Sequence, residues 1–460
     1  MSANDARDPG AGPQLAALAV MVLAVAAALA IGKATTATAV GEAPATIGPD
    51  DLARELLAAP NDVLVVDVRT PEQFATWHLP GAVNMAADGG ISMPAGPFRL
   101  VVLAGDGRPA SSQVLTDLQR ASPAPVRVLT GGLPAFAERV LLPPSLRQGL
   151  DESACKQALP GWHLARAFFL ASPAPSPHAV WATDPEQLTR PTMVSPRWLH
   201  DRIGKIAVLD TRPERDFLAL HVPGAQRLDL ARIRTKHGDR DLHLAANDAL
   251  ASWFGNLGIG ADTPVVLYTN DRPQDCTMAA LALLRLGHRA LAILEGGVLR
   301  WAAEQRPLTA ELTMPVAVTY VPRPSADDFT ITTDALAAAV AAGSTKVLDV
   351  RPADFFRGDK STEARPGHIP GAKNRDHQRD VVRTDDGQWL LPADALRREY
   401  DTLGLHKGDA IAVSCRSGPQ ASQTYFVLRW LLGYEQVRWY AGSWTEWAER
   451  PDLPAATGDK

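Results

Sequence analysis

An α/β protein is predicted by this 460-residue sequence: three tandem domains, each a parallel sheet flanked by helices on both faces, after an N-terminal signal or anchor helix. Three observations point there. The length is about three times the ~150 residues of a common domain. One series of motifs returns three times along the chain. Within each copy, short apolar runs alternate with helical periodicity, which implies right-handed crossovers and a parallel sheet covered on both sides.

The first element runs from Leu15 to Ile31, LAALAVMVLAVAAALAI, an uncharged apolar stretch that would span roughly 25 Å as a helix. It lacks the polar face of a buried amphipathic helix, and Ala37-Thr38-Ala39 fits the small-x-small pattern of a cleavage site. Residues 1–44 therefore read as a signal peptide or membrane anchor. The expected location is a bacterial cell envelope, on the periplasmic side, inner-membrane anchored through 15–31 or released after cleavage.

The repeats follow. A β-branched strand ends in Asp-x-Arg at Asp67/Arg69, Asp210/Arg212 and Asp349/Arg351, each an unbroken apolar run suited to burial on both faces. A Pro-Gly turn comes next, in HLPGAVN, HVPGAQR and GHIPGAKN at His78, His221 and His368. A third strand, LVVLA, PVVLYT or AIAVSC, leads through a polar loop into a helix. The fourth part is a strand and a Gly turn opening another helix: VRVLTGGLPAFAERV, LAILEGGVLRWAAEQ and VRWYAGSWTEWAER. These place domains at 45–142, 191–310 and 326–457, with 143–190 as a linker segment. Pro-rich stretches at 171–177 and 315–324 mark connections.

Lys plus Arg is 46 against 51 Asp plus Glu, a net charge of −5, so no global basic field exists to capture nucleic acid. The only cysteines, Cys155, Cys276 and Cys415, cannot form a disulfide framework or a Cys-rich metal site, although an oxidising compartment leaves a Cys155–Cys276 bridge open. No dinucleotide fingerprint, Walker loop or clustered metal ligand is present; no cofactor and no metal are implied.

Ligands of such sheets bind beyond the carboxyl ends of the strands. In the third repeat that position reads Cys415-Arg416-Ser417-Gly418-Pro419-Gln420, running into a helix. A cysteine between a strand end and a helix N-terminus meets unpaired backbone N–H groups and the positive end of the helix dipole, which favour the nucleophilic thiolate. Arg416 adds positive charge beside it, and Gly418 lets the loop fold around its own centre. Aligned on their shared proline, the other loops place Gly105 and Thr269 where Cys415 stands, with Asp106, Asn270 and Asp271 nearby. Those two repeats read as non-catalytic. Cys276 falls in the following helix and reads as a packing residue. Arg351 is the candidate for binding an anionic donor through its guanidinium fork, while His368 reads as structural. Phosphatase chemistry of the Cys-x5-Arg kind is excluded because Ala421 stands six residues after Cys415.

Asp-x-Arg, His-Ile-Pro-Gly-Ala, Cys-Arg-x-Gly and Gly-Ser-Trp, in that order, resemble the rhodanese family of sulfurtransferases. The third repeat is similar to the catalytic half of thiosulfate and 3-mercaptopyruvate sulfurtransferases, and the first two resemble rhodanese domains on fewer motifs. The resemblance implies a persulfide on Cys415, loaded by a small anionic donor and emptied by a thiol or cyanide. A non-turnover sulfur carrier or binding scaffold built from such domains is the alternative. Relatives carry a second Arg four residues after the first; here Phe355 holds that place, and Arg357 is the substitute. Ser417 after Cys-Arg makes the loop a hybrid that leaves the donor open between thiosulfate and mercaptopyruvate.

Overall fold

The computed structural model describes residues 44–85, 94–109, 111–171, 176–238, 240–324, 328–384 and 387–459. Leu15–Ile31, and with it the signal or anchor expectation, lies outside them. Among the described residues no helix is long and apolar enough to cross a membrane. The chain divides into two compact units, Met1–Phe169 and Leu170–Lys460.

The first unit holds the first repeat. Its sheet is parallel throughout, in the order Thr46–Ile47, Val126–Leu129, Leu100–Ala104, Val63–Asp67, Val83–Asn84. Val63–Asp67 and Leu100–Ala104 are buried at every residue, the physical origin of their unbroken apolar runs. The segment 143–190, expected as a linker, contains a helix, Glu152–Leu170, that packs on this repeat. Leu164, Phe168 and Phe169 are buried, Phe169 meets Phe136 edge-on at 5.1 Å, and Trp162 Nε1 donates to the Leu141 carbonyl at 2.8 Å. The apolar patch WHLARAFFLA is the packed end of that helix.

The second unit contains the second and third repeats around a common core that runs from Met193 to Trp439. Their sheets keep the same order: Thr192–Val194, Leu291–Leu294, Val265–Tyr268, Ala207–Asp210, Gln226–Arg227 in one, and Val437–Trp439, Ile411–Ser414, Lys346–Asp349, Lys373–Asn374 in the other. The three repeats thus form two bodies. The cause is a pair of helices, Pro273–Arg285 and Pro419–Phe426, packed on each other. Asp275 to Leu284 and Ala421 to Phe426 are buried throughout, so neither helix has a polar face for water there. Between them Thr277 Oγ1 lies 2.7 Å from Ser422 Oγ. Each of these repeats also carries an antiparallel hairpin, Arg234–His237 with Arg240–Leu244 and Val381–Thr384 with Gly387–Leu390.

The repeated motifs build one local device three times. The Asp at each strand end is buried and ionic, so it requires a partner. The Arg two residues later supplies it: Asp349 accepts from Arg351 Nε at 3.0 Å and Nη2 at 2.6 Å, and Nη2 also donates to the Gly367 carbonyl at 2.8 Å. Arg69 and Arg212 repeat the pattern with the Trp77 and Leu220 carbonyls. Each turn histidine stacks on a phenylalanine ring. His368 lies over Phe356 at 3.6 Å and contacts its carbonyl through Nδ1 at 2.8 Å, in keeping with a structural part.

Candidate active site

Cys415 directly follows the strand Ile411–Ser414 and precedes the helix Pro419–Phe426, which opens at Gly418. Pro419 lacks an N–H at a position where none is needed, so the helix starts without a lost hydrogen bond. The Gly418 N–H donates to Cys415 Sγ at 3.1 Å. Gly418 has φ +109, and a Cβ there would lie 2.9 Å from the Trp439 ring. Glycine is therefore required both by conformation and by space. Trp439 Nε1 donates to the Gly418 carbonyl at 2.9 Å and fixes the turn from behind.

A second turn completes the cradle. Ser443 is buried and adopts φ +50, where both other repeats place glycine, Gly132 at φ +63 and Gly297 at φ +60. Its Oγ accepts from the Cys415 N–H at 3.1 Å and sits 2.8 Å from the Tyr440 carbonyl and 3.8 Å from Cys415 Sγ. The helix Ser443–Glu449 then holds the loop backbone: Trp444 N–H donates to the Cys415 carbonyl at 3.0 Å, and Thr445 Oγ1 to the Arg416 carbonyl at 2.8 Å. The Ser417 carbonyl accepts from Arg234 Nη2 at 2.6 Å. Cys415 is 1% exposed. Cys415 Sγ thus faces the Gly418 N–H and, farther off, the Ser443 hydroxyl.

The sequence-predicted residues fare unequally. Cys415, Arg416, Ser417, Gly418, Pro419 and Gln420 form the loop, with Gly418 and the Ser417 carbonyl engaged as described and Gln420 half-buried in the first helical turn. Arg416 is exposed, and its Nε is paired with Glu363 Oε1 at 2.8 Å. Arg351 is held in the Asp-x-Arg pair. Its side chain is 4% exposed, Nε and Nη2 are committed to Asp349 and Gly367, and the guanidinium lies 5.2 Å over the Trp444 ring. The same arrangement recurs at Arg69 and Arg212 in the two repeats that lack the cysteine, so the pair has a structural part in all three. Arg357 pairs with Asp359 at 2.8 Å, facing the chain's C-terminal end at Asp459, and no contact among the described residues joins it to the Cys415 loop.

All three cysteines are free. Cys155 donates to the Pro144 carbonyl at 3.3 Å. Cys276 is buried 3.6 Å from Thr211 Oγ1, and burial pushes its thiol far up, as befits a packing residue. In the nucleophile-free loops the space used by Ser443 is closed: a Cβ on Gly297 would strike the Thr269 carbonyl, and one on Gly132 the backbone of Gly105 and Gly107. Sequence reasoning missed Ser443, Trp439 and Arg234. The change from Gly-Gly to Gly-Ser in the third copy was the available signal for the first of these; Arg234 carries none, because its contact is made across repeats.

The family of the rhodanese-like domain matches residues 49–139, 195–304 and 332–450. The sulfur carrier protein TtuD of Thermus thermophilus is 33% identical over 284 residues, covering 58% of this chain and 97% of its own. The thiosulfate sulfurtransferase of Azotobacter vinelandii is 28% identical over 266 residues, covering 57% and 96%. Among solved structures, the anaerobic ergothioneine biosynthesis enzyme of Chlorobium limicola covers 90% of this chain and 100% of its own with a TM-score of 0.52 at 18% identity. The 3-mercaptopyruvate sulfurtransferase of Leishmania major covers 58% and 77% with a TM-score of 0.50 at 22% identity. These last two likenesses are of fold.

Proposed function

The chain belongs to the rhodanese family, and from that premise we propose that it is a rhodanese-type sulfurtransferase that moves a sulfane sulfur through a persulfide on Cys415. The single observation that carries this reading is the Gly418 N–H aimed at Cys415 Sγ, 3.1 Å away, at the opening of the following helix. That donor stabilises negative charge on sulfur both before and after loading.

With thiosulfate, the Cys415 thiolate attacks the outer sulfur. A bond forms between Sγ and that sulfur, the sulfur–sulfur bond of the donor breaks, and its electron pair leaves with sulfite. The persulfide then carries the charge. Cyanide or a thiolate attacks the outer sulfur in turn, and the Cys415 thiolate leaves with the electron pair of the broken bond. No external oxidant or reductant is needed. With 3-mercaptopyruvate the Cys415 thiolate attacks the donor's sulfur, the carbon–sulfur bond breaks with its electron pair going to carbon as the pyruvate enolate, and the donor's thiol proton ends on that carbon to give pyruvate. Leu15–Ile31 supports export to the periplasmic side, which fractionation of cells expressing the full chain tests; a wholly cytoplasmic full-length pool would overturn it.

The experiment is intact-mass analysis after exposure to each donor. One added sulfur on the wild type, removed by cyanide and absent in Cys415→Ser, is the expected result. The identity to a named sulfur carrier favours one further reading, in which Cys415 loads but does not turn over with free acceptors. Steady-state turnover with cyanide or a thiol separates the two.

A further inference from the structure

We infer that Arg234, carried by the nucleophile-free second repeat, is a positioning residue of the Cys415 site that orients and polarises the peptide unit donating to the sulfur. The inference rests on the sulfur-transfer reading for its kinetic consequence, but its geometry stands apart from the choice of donor.

One peptide unit joins the Ser417 carbonyl to the Gly418 N–H. On one edge its oxygen accepts from Arg234 Nη2 at 2.6 Å; on the other its N–H points at Cys415 Sγ, 3.1 Å away. Because the amide is planar, fixing the carbonyl direction fixes the N–H direction. A charged donor on the oxygen also draws electron density through the amide, which makes the N–H a stronger donor toward an anion. The nearer cation in sequence, Arg416, is turned to Glu363 instead. Arg234 therefore brings a positive charge to the inner loop from another repeat.

The arm that carries Arg234 is held in place. Arg234 pairs with Leu244 in the hairpin register. Further along, His237 Nε2 lies 2.7 Å from Glu449 and His243 Nε2 lies 3.1 Å from Glu446. Both glutamates belong to the helix Ser443–Glu449, whose first residue contacts Cys415. The hairpin thus grips the nucleophile's loop through its carbonyl and through the helix behind it. On this account the second repeat, without a nucleophile, supplies part of the Cys415 site in the third.

The test uses the full chain with Arg234→Ala and Arg234→Lys, and Arg232→Ala as a neighbour whose guanidinium instead lies over Trp253 at 4.7 Å. Two readouts are taken: the pH profile of iodoacetamide alkylation at Cys415, mapped by peptide mass, and kcat/KM for sulfur transfer. Arg234→Ala should move the alkylation profile to higher pH and lower kcat/KM roughly tenfold, below the full loss of an anion-hole donor because the N–H itself remains. Arg234→Lys should recover part of both, and Arg232→Ala neither lose nor shift. If Arg234→Ala does not fold, the same readouts on Arg234→Met, which keeps the apolar stem, decide the matter. Wild-type profile and kcat/KM in a folded variant of lowered melting temperature would overturn the inference, leaving Arg234 as interdomain glue. A wild type without sulfur transfer but with the alkylation shift in Arg234→Ala would sink the function and keep the positioning; normal turnover with no shift would do the reverse.

Discussion

Ser443 Oγ accepts a hydrogen bond from the Cys415 N–H at 3.1 Å and stands 3.8 Å from Cys415 Sγ, from a buried residue held at φ +50. A serine in the left-handed region costs roughly 1 kcal/mol relative to glycine, and the two other repeats have glycine there. Ser443→Gly should therefore unfold about 1 kcal/mol harder than Ser443→Ala, which keeps the backbone strain without the hydroxyl. Both should transfer sulfur more slowly than the wild type. Paired denaturation curves and kcat values check this; full activity in Ser443→Gly would remove the hydroxyl from the site.

Gly418→Ala meets two obstacles, a φ of +109 and a Cβ 2.9 Å from Trp439. The loop must shift to accept it, at a cost of roughly 2–3 kcal/mol. The Gly418 N–H then leaves Cys415 Sγ. Loss of most activity in a folded protein is expected, measured as kcat beside a melting curve.

Arg351→Ala should act on stability. It strands the buried Asp349 carboxylate and costs about 3–5 kcal/mol. Arg351→Ala and Arg69→Ala should be alike in kind, each destabilising the unit that contains it, as thermal unfolding of the two variants will show. A stable Arg351→Ala protein with a raised KM for the donor would show the binding role instead.

Glu446 supplies a pH dependence with a definite sign. Its carboxyl is held below the ordinary value of 4.5, first by the hydrogen bond from His243 and, against the opposing pull of burial, by that from Thr333. The folded state keeps it ionised where the unfolded chain takes up a proton. Its contribution is complete above the ordinary value and is lost as pH falls through the lower folded one. Glu446→Gln should flatten that acid limb of stability, and urea midpoints across the range would reveal it.

Much of this was legible in the chain because local patterns carried it. The strands with Asp67, Asp210 and Asp349 at their ends read as buried, and are. Cys415 was singled out by its place between a strand and a helix. In sequence, a guanidinium two residues from a carboxylate is equally a ligand fork or an internal pair, and the burial of the Arg351–Asp349 pair shows only in the fold. The helix containing Trp162 was hidden by its weak amphipathic pattern and internal Pro160. The union of the second and third repeats, and the reach of Arg234 to Ser417, depend on residues far apart in sequence, where periodicity is silent.

The most direct measurement is the intact mass of the full chain after treatment with thiosulfate or 3-mercaptopyruvate and then with cyanide. One sulfur atom should be gained and then lost in the wild type and in Cys276→Ser, and never gained in Cys415→Ser. Equal loading of Cys415→Ser and the wild type would contradict the account.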